Sequence, residues 1–264
     1  MTPAPASSEL ADSVLSFHLP EDCIQQRVRQ IHRAALAHSP YMRTADFTSI
    51  HPRDLEFLFA AYEDLFFGGG LRRALGGRSL RFRLSPRMTK AGGTTTRFRL
   101  GSGEVSYEIA IACSMLFDGF RENDRRITVC GLECNNRLEA LQRIFEHELI
   151  HLTEHLCWDR SDCSGARFQD LAGRLFLHRA HTHNLVTRRE RAAQSGIRPG
   201  TRVIFTFEGR QVQGRVNRIT KRATVLVEDP DGLKYSDGFR YKTYYVPISQ
   251  LQPIPIETSA PVLP

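Results

Sequence analysis

His147-Glu148-Leu149-Ile150-His151 decides how the rest of the chain is read, because HExxH spacing needs a helix and gives that helix a task. Residues four apart on a helix lie on one face, one turn above the other. Two imidazoles so placed can grip one divalent metal, and the glutamate after the first histidine faces a water on that metal. The helix is legible around the motif. Leu138, Leu141, Phe145, Leu149, Leu152 and Leu156 recur at three- and four-residue steps and make one apolar stripe. Asn136 followed by Glu139 has the spacing of a capping pair at its start. His147 and His151 are thus candidate metal ligands and Glu148 the candidate catalytic base, with Zn2+ the expected metal.

Upstream, the spacing predicts a helix over Glu21–His38 and another over Pro52–Phe66 that stops at Gly68-Gly69-Gly70, where backbone freedom suits a helix end. Short β-prone stretches follow at Leu80–Leu84, Thr95–Leu100, Glu104–Ala112 and Arg126–Cys130, separated by turns such as Gly92-Gly93 and Gly101-Ser102-Gly103. After the metal helix, Ala166–His178 repeats the helical spacing. The expected fold class is α+β, helices packed on a small mixed sheet, followed by a small all-β barrel.

The barrel is expected from a change of texture. Val203–Phe207, Gln211–Ile219, Ala223–Glu228 and Tyr241–Pro247 are short β-rich runs, and Asp229-Pro230-Asp231-Gly232 reads as the clearest turn between them. The domain reading is a disordered N-terminus over 1–15, a metal-binding domain over 16–187, a basic linker over 188–196, a barrel over 197–256 and a disordered tail over 257–264.

The chain has 264 residues and a net charge of +7. Between Arg188 and Lys242 lie 13 basic and 6 acidic residues, so that segment carries the whole excess. A localised basic excess is the electrostatic footprint of a polyanion binder. Arg215, Arg218, Lys221, Arg222, Arg240 and Lys242 are the candidate nucleic-acid-binding residues, interleaved with Tyr235, Phe239, Tyr241, Tyr244 and Tyr245, whose rings can stack on unpaired bases. DNA is favoured over RNA. No apolar run reaches the ~20 residues that cross a bilayer. A first fifteen residues with no basic start and no apolar core argues for the cytoplasm. Six cysteines in such a compartment are expected as thiols.

The motif order resembles the SprT/Spartan-like zinc metalloprotease family across roughly residues 50–180. Leu84-Ser85-Pro86-Arg87-Met88-Thr89-Lys90-Ala91-Gly92-Gly93 looks like that family's strand and glycine turn, and Tyr107-Glu108-Ile109-Ala110-Ile111-Ala112 like its next strand. The resemblance implies a minimal metalloprotease core whose sheet edge presents a protein or peptide substrate, and a peptidase acting on DNA-associated proteins. In that family a third ligand comes from an HGxxF-like motif; here the segment is Ser164-Gly165-Ala166-Arg167-Phe168. A serine hydroxyl is a poor zinc ligand, whereas a thiolate is a good one. Cys163, one position earlier, is therefore ranked first as third ligand, with His155, His178, His181 and His183 left open. An oxyanion-stabilising group is sought in Tyr107 and the histidines at 178–183. The C-terminal segment is similar to small barrels of the KOW/Tudor sort. The competing reading is a non-catalytic nucleic-acid-binding accessory protein whose metal site is structural.

Overall fold

The computed structural model describes residues 5–101, 103–122, 124–220 and 222–254. They form two compact units, divided between Val186 and Thr187, with mixed α and β structure.

The first unit is built around the predicted metal helix. Five helices precede it: α1 (Pro5–Leu15), α2 (Glu21–His38), α3 (Pro52–Tyr62), α4 (Gly70–Leu75) and α5 (Cys113–Asp118). Residues 1–15 are expected to be disordered, yet Leu10 and Val14, one turn apart, are buried in the unit's core. Burying two aliphatic side chains, ~1.5–3 kcal/mol each, contributes toward the ordering cost of the helix. The predicted Pro52–Phe66 helix divides into α3 and a π-helical turn, Glu63–Phe67, which ends at Gly68 in the left-handed region, φ 54°. Buried Glu63 accepts from the free amides of Leu71 and Arg72 at the start of α4, the groups a helix beginning leaves unpaired.

The sheet of this unit has three strands, β1 (Leu80–Leu84), β2 (Gly93–Arg99) and β3 (Val105–Ile111), in the order β1-β3-β2. β1 runs parallel to β3, and β2 runs antiparallel to it at the edge. A two-stranded ribbon, β4 (Ile127–Val129) with β5 (Leu132–Cys134), leads into α6 (Arg137–Trp158). The Asn136 side chain accepts from Glu139 N at 2.9 Å, as its spacing predicts. Leu138, Leu141, Phe145, Leu149 and Leu152 are all fully buried. Truncating any one to alanine costs ~2–5 kcal/mol, so the face opposite this stripe is held toward the cleft. α7 (Ala166–Phe176) packs beside α6.

A buried polar cluster sits under α6. Glu146, with no exposed surface, accepts from Tyr62 Oη at 2.6 Å and from Arg143 Nη1 at 2.9 Å, and its Oε2 lies 2.9 Å from His178 Nε2. The Arg143 guanidinium and the His178 and Tyr62 hydrogen bonds hold Glu146 below the usual carboxylate range despite burial.

The second unit starts with α8 (Arg188–Gln194), where a charged linker is expected. Thr187 and Glu190 form a reciprocal capping box, and Ala192 is fully buried in the second core. Five strands follow: β6 (Arg202–Phe207), β7 (Arg210–Ile219), β8 (Ala223–Lys234), β9 (Arg240–Val246) and β10 (Gln252–Pro253). Their order is β10-β6-β7-β8-β9, all antiparallel. Among the described residues β9 and β10 do not pair, so this is an open sheet rather than the expected closed barrel. The expected turn at Asp229–Gly232 is instead a bulge inside β8. Glu228 and Leu233 both pair with Tyr241, and the residues between loop out. Gly232 is required there, since a β-carbon would fall 2.3 Å from the Tyr241 backbone.

Candidate metal centre

One face of α6 carries both histidines of the motif. Their Nε2 atoms lie 3.1 Å apart. The Cys163 sulfur, from the loop between α6 and α7, joins them, all three donor atoms lying within 4.8 Å of one another. A tetrahedral zinc with bonds of ~2.0–2.3 Å holds its ligands roughly 3.3–3.8 Å apart, so small side-chain rotations fit this set to a metal. Phe168 of α7 wedges both imidazoles, its ring centre 4.8 Å from His147 and 4.6 Å from His151.

The outer nitrogens of the two rings are also engaged. His151 Nδ1 lies 2.6 Å from Ser161 Oγ, which donates to Glu154 Oε2 at 2.7 Å. With the serine proton committed to the carboxylate, its oxygen accepts from Nδ1–H, which leaves the Nε2 lone pair free for a metal. The same Glu154 oxygen accepts from Asp162 N, and Oε1 accepts from Arg167 Nε at 2.7 Å. Arg167 in turn lies over the Trp158 ring. Glu154, almost wholly buried, thus ties one histidine to the loop that carries Cys163. On the other side His147 Nδ1 lies 3.8 Å from the Cys130 sulfur.

Burial, helped by its histidine neighbours, pushes His147 down to about 3, and burial pushes His151 down to about 4. Both rings are therefore neutral near pH 7, the form that ligates. Burial also pushes the Cys163 thiol up, so a thiolate there needs a cation beside it. Glu148 is buried and pushed up to about 8 by loss of hydration, although a Thr95 hydrogen bond opposes the shift. Thr95 Oγ1 lies 2.8 Å from Glu148 Oε2 and 2.9 Å from the Glu148 carbonyl. Neutral imidazoles, a thiol and a buried carboxyl group with no positive neighbour to hold its charge are the chemistry a divalent cation completes, its charge favouring the ionised forms of the last two.

These groups open into a cleft of about 530 Å³. Its walls include Gly92 just before β2, Gly93 and Thr95 of that edge strand, and His155, His181 and His183. The loop bearing His181 and His183 is strapped to β4: Cys130 N donates to Thr182 O, Asn184 N to Thr128 O, and Arg179 N to Cys130 O. His183 Nδ1 accepts from Leu185 N at 3.3 Å, so its proton sits on Nε2.

The remaining sequence candidates fall elsewhere. His178 turns inward to Glu146 and does not line the cleft. Tyr107 is fully buried on β3, held by Arg78 at 3.1 Å, and is no oxyanion partner. Ser164 is exposed, its hydroxyl donating to Asp162. Thr95, Ser161 and Glu154 have no part in the sequence reading, and Phe168 enters it only as the end of the HGxxF-like segment. Ser161 meets His151 from ten positions away and Thr95 meets Glu148 from 53, separations that leave no local pattern to read.

In the second unit, Arg215 pairs with Asp237 at 3.2 Å and Lys242 with Asp229 at 2.8 Å, while Arg240 donates to the Gly232 carbonyl. Arg218 and Arg222 are exposed. Lys221 lies outside the described residues. Among the described residues no helix is long and apolar enough to cross a membrane.

No family model, no curated protein and no solved structure matches the chain.

Proposed function

We propose that the protein is a zinc-dependent peptidase of the SprT-like type, recruited to nucleic acid by its second unit and acting on associated proteins. One observation carries the reading: two imidazole nitrogens 3.1 Å apart, a cysteine within reach and a buried glutamate share one cleft beside a sheet edge. His147, His151 and Cys163 hold the metal. Three protein donors leave a fourth position for water, as in catalytic sites, whereas structural zinc sites use four. Zinc bound there brings a water's pKa toward ~7 and polarises a carbonyl.

The chain's own groups do the rest. Glu148 accepts the proton from the attacking water at the carboxylate oxygen not held by Thr95, and returns it to the leaving amine. His183, its proton on Nε2, donates to the oxyanion. An extended peptide adds to the free edge of β2, where Gly92 and Gly93 keep the cleft floor clear. Arginines of the second sheet supply the sequence-independent attraction to phosphates.

Glu148→Gln tests this. The amide cannot take a proton, so cleavage of an unfolded or DNA-bound protein falls by ~10²–10⁴ while zinc content and fold persist. If wild type with full zinc cleaves nothing across such substrates, the accessory protein with a structural metal is the better reading.

A further inference from the structure

Charge separates along the second sheet. The acidic residues of its strands and turns, Glu208, Glu228, Asp229, Asp231 and Asp237, sit at the β6–β7 turn and around the β8 bulge and β8–β9 turn. Arg215 and Lys242 are neutralised there. The opposite end, at the β7–β8 hairpin, holds no acid. It carries Arg218 and Arg222, both exposed and without an ion pair among the described residues, whereas the exposed Arg202 of β6 is level with Arg215, further along the sheet.

Strand register brings an aromatic ring to that end. Arg218 of β7 pairs with Thr224 of β8, and Thr224 pairs with Tyr245 of β9, so the three share one face in a row. That face is opposite the core, into which neighbouring Val225 points. Tyr245 is 67% exposed. The other tyrosines are committed. Tyr244 packs on Phe205 and Phe207, Tyr235 and Tyr241 meet edge to face, and Tyr241 Oη donates to Asp237.

We infer that this end of the sheet face binds single-stranded nucleic acid, one unpaired base stacking on Tyr245 while Arg218 and Arg222 take the flanking phosphates. The inference deepens the recruitment reading above and rests on it. Every base offers a π-face, so an isolated ring beside unpaired arginines gives binding without sequence preference. A duplex hides those faces and leaves the ring nothing to stack on. Thr224, between ring and guanidinium, keeps the row low enough for a strand to lie across it.

The test uses the full chain and a labelled oligo-dT strand of about 16 nucleotides, with a duplex of equal length, titrated by fluorescence anisotropy at several salt concentrations. Wild type should prefer the single strand. Tyr245→Ala should weaken single-strand binding roughly 5–150-fold and leave duplex binding unchanged, and Tyr245→Phe should restore it. Arg218→Glu with Arg222→Glu should weaken both and lower the salt slope by about 2. Lys242→Gln, on the acidic end, should change neither. Unaltered single-strand affinity in Tyr245→Ala, with the arginine pair still damaging, overturns the stacking site but spares recruitment. A wild-type preference for duplex also overturns it. No binding of either probe removes recruitment itself, and the inference with it.

Discussion

A β-carbon on Gly93 would fall 2.7 Å from Oε1 of Glu148. The edge strand and the glutamate are thus fitted to each other with no room to spare, and Thr95 two residues on completes the hold. A contact below 3 Å against a buried carboxylate forces either the strand or the glutamate to move.

Gly93→Ala should therefore lower kcat/KM for a peptide substrate by at least about tenfold, since ~1 Å of displacement at a reacting group has that order of effect or more. Zinc content should not change, because His147, His151 and Cys163 lie elsewhere on the cleft wall. Metal analysis together with kinetics checks both halves. Wild-type kinetics in this variant would show that the placement of Glu148 is irrelevant to turnover.

The third ligand separates two adjacent residues. Cys163→Ala should lower zinc affinity by more than the ~10–100-fold typical of losing an outer partner, whereas Ser164→Ala, which removes only a bond to Asp162, should leave it alone. Cobalt substitution gives an independent reading: a thiolate-to-cobalt absorption band should be present in wild type and absent in Cys163→Ala. The reverse pattern would place the ligand outside Cys163.

Ser161→Ala removes the group that orients His151 without touching the metal directly. Zinc affinity should drop ~10–100-fold, measured by competition with a chromophoric chelator, with little change in Tm because Ser161 is not part of the core. An unaltered affinity would mean that Phe168 alone fixes the ring.

Under the metal helix, Glu146→Ala would strand Arg143, Tyr62 and His178 in the interior. Removing one partner from such a buried cluster costs ~3–5 kcal/mol, read as a large drop in denaturant midpoint. Tyr62→Phe, which deletes only one hydroxyl, should cost ~1–2 kcal/mol. Equal losses in the two variants would argue against Glu146 as the hub.

What sequence reading reached, and what it missed, divides along a physical line. α2 and β1 match their expected bounds, and Asn136 caps α6 as its spacing requires, because periodicity and capping are local signals. The same signals were present and overlooked in two places. Leu10 and Val14 mark the buried face of α1, and Thr187 with Glu190 is a capping box that turns the expected linker into α8. Both segments are polar in composition, which masks these signals. The β8 bulge, the open sheet and the burial of Tyr107 depend on partners far along the chain, as does Thr95 reaching Glu148, and no spacing rule reports such meetings. The grouping of Cys163 with the two histidines, by contrast, is expected from its place beside Ser164, where the resembled family has its third ligand.

All three proposed metal donors lie between residues 147 and 163, on one helix and the loop that leaves it. Closing so short a loop costs little chain entropy. The glutamate's confinement, however, comes from Thr95, 53 positions upstream on a strand that forms only when the sheet does. Under the proposed reading, holding a metal and placing the base therefore depend on different parts of the fold: the donors on α6 and the loop after it, the base on the docking of β2 against that helix. Loosening of the sheet alone would then disarm the base before it freed the ion.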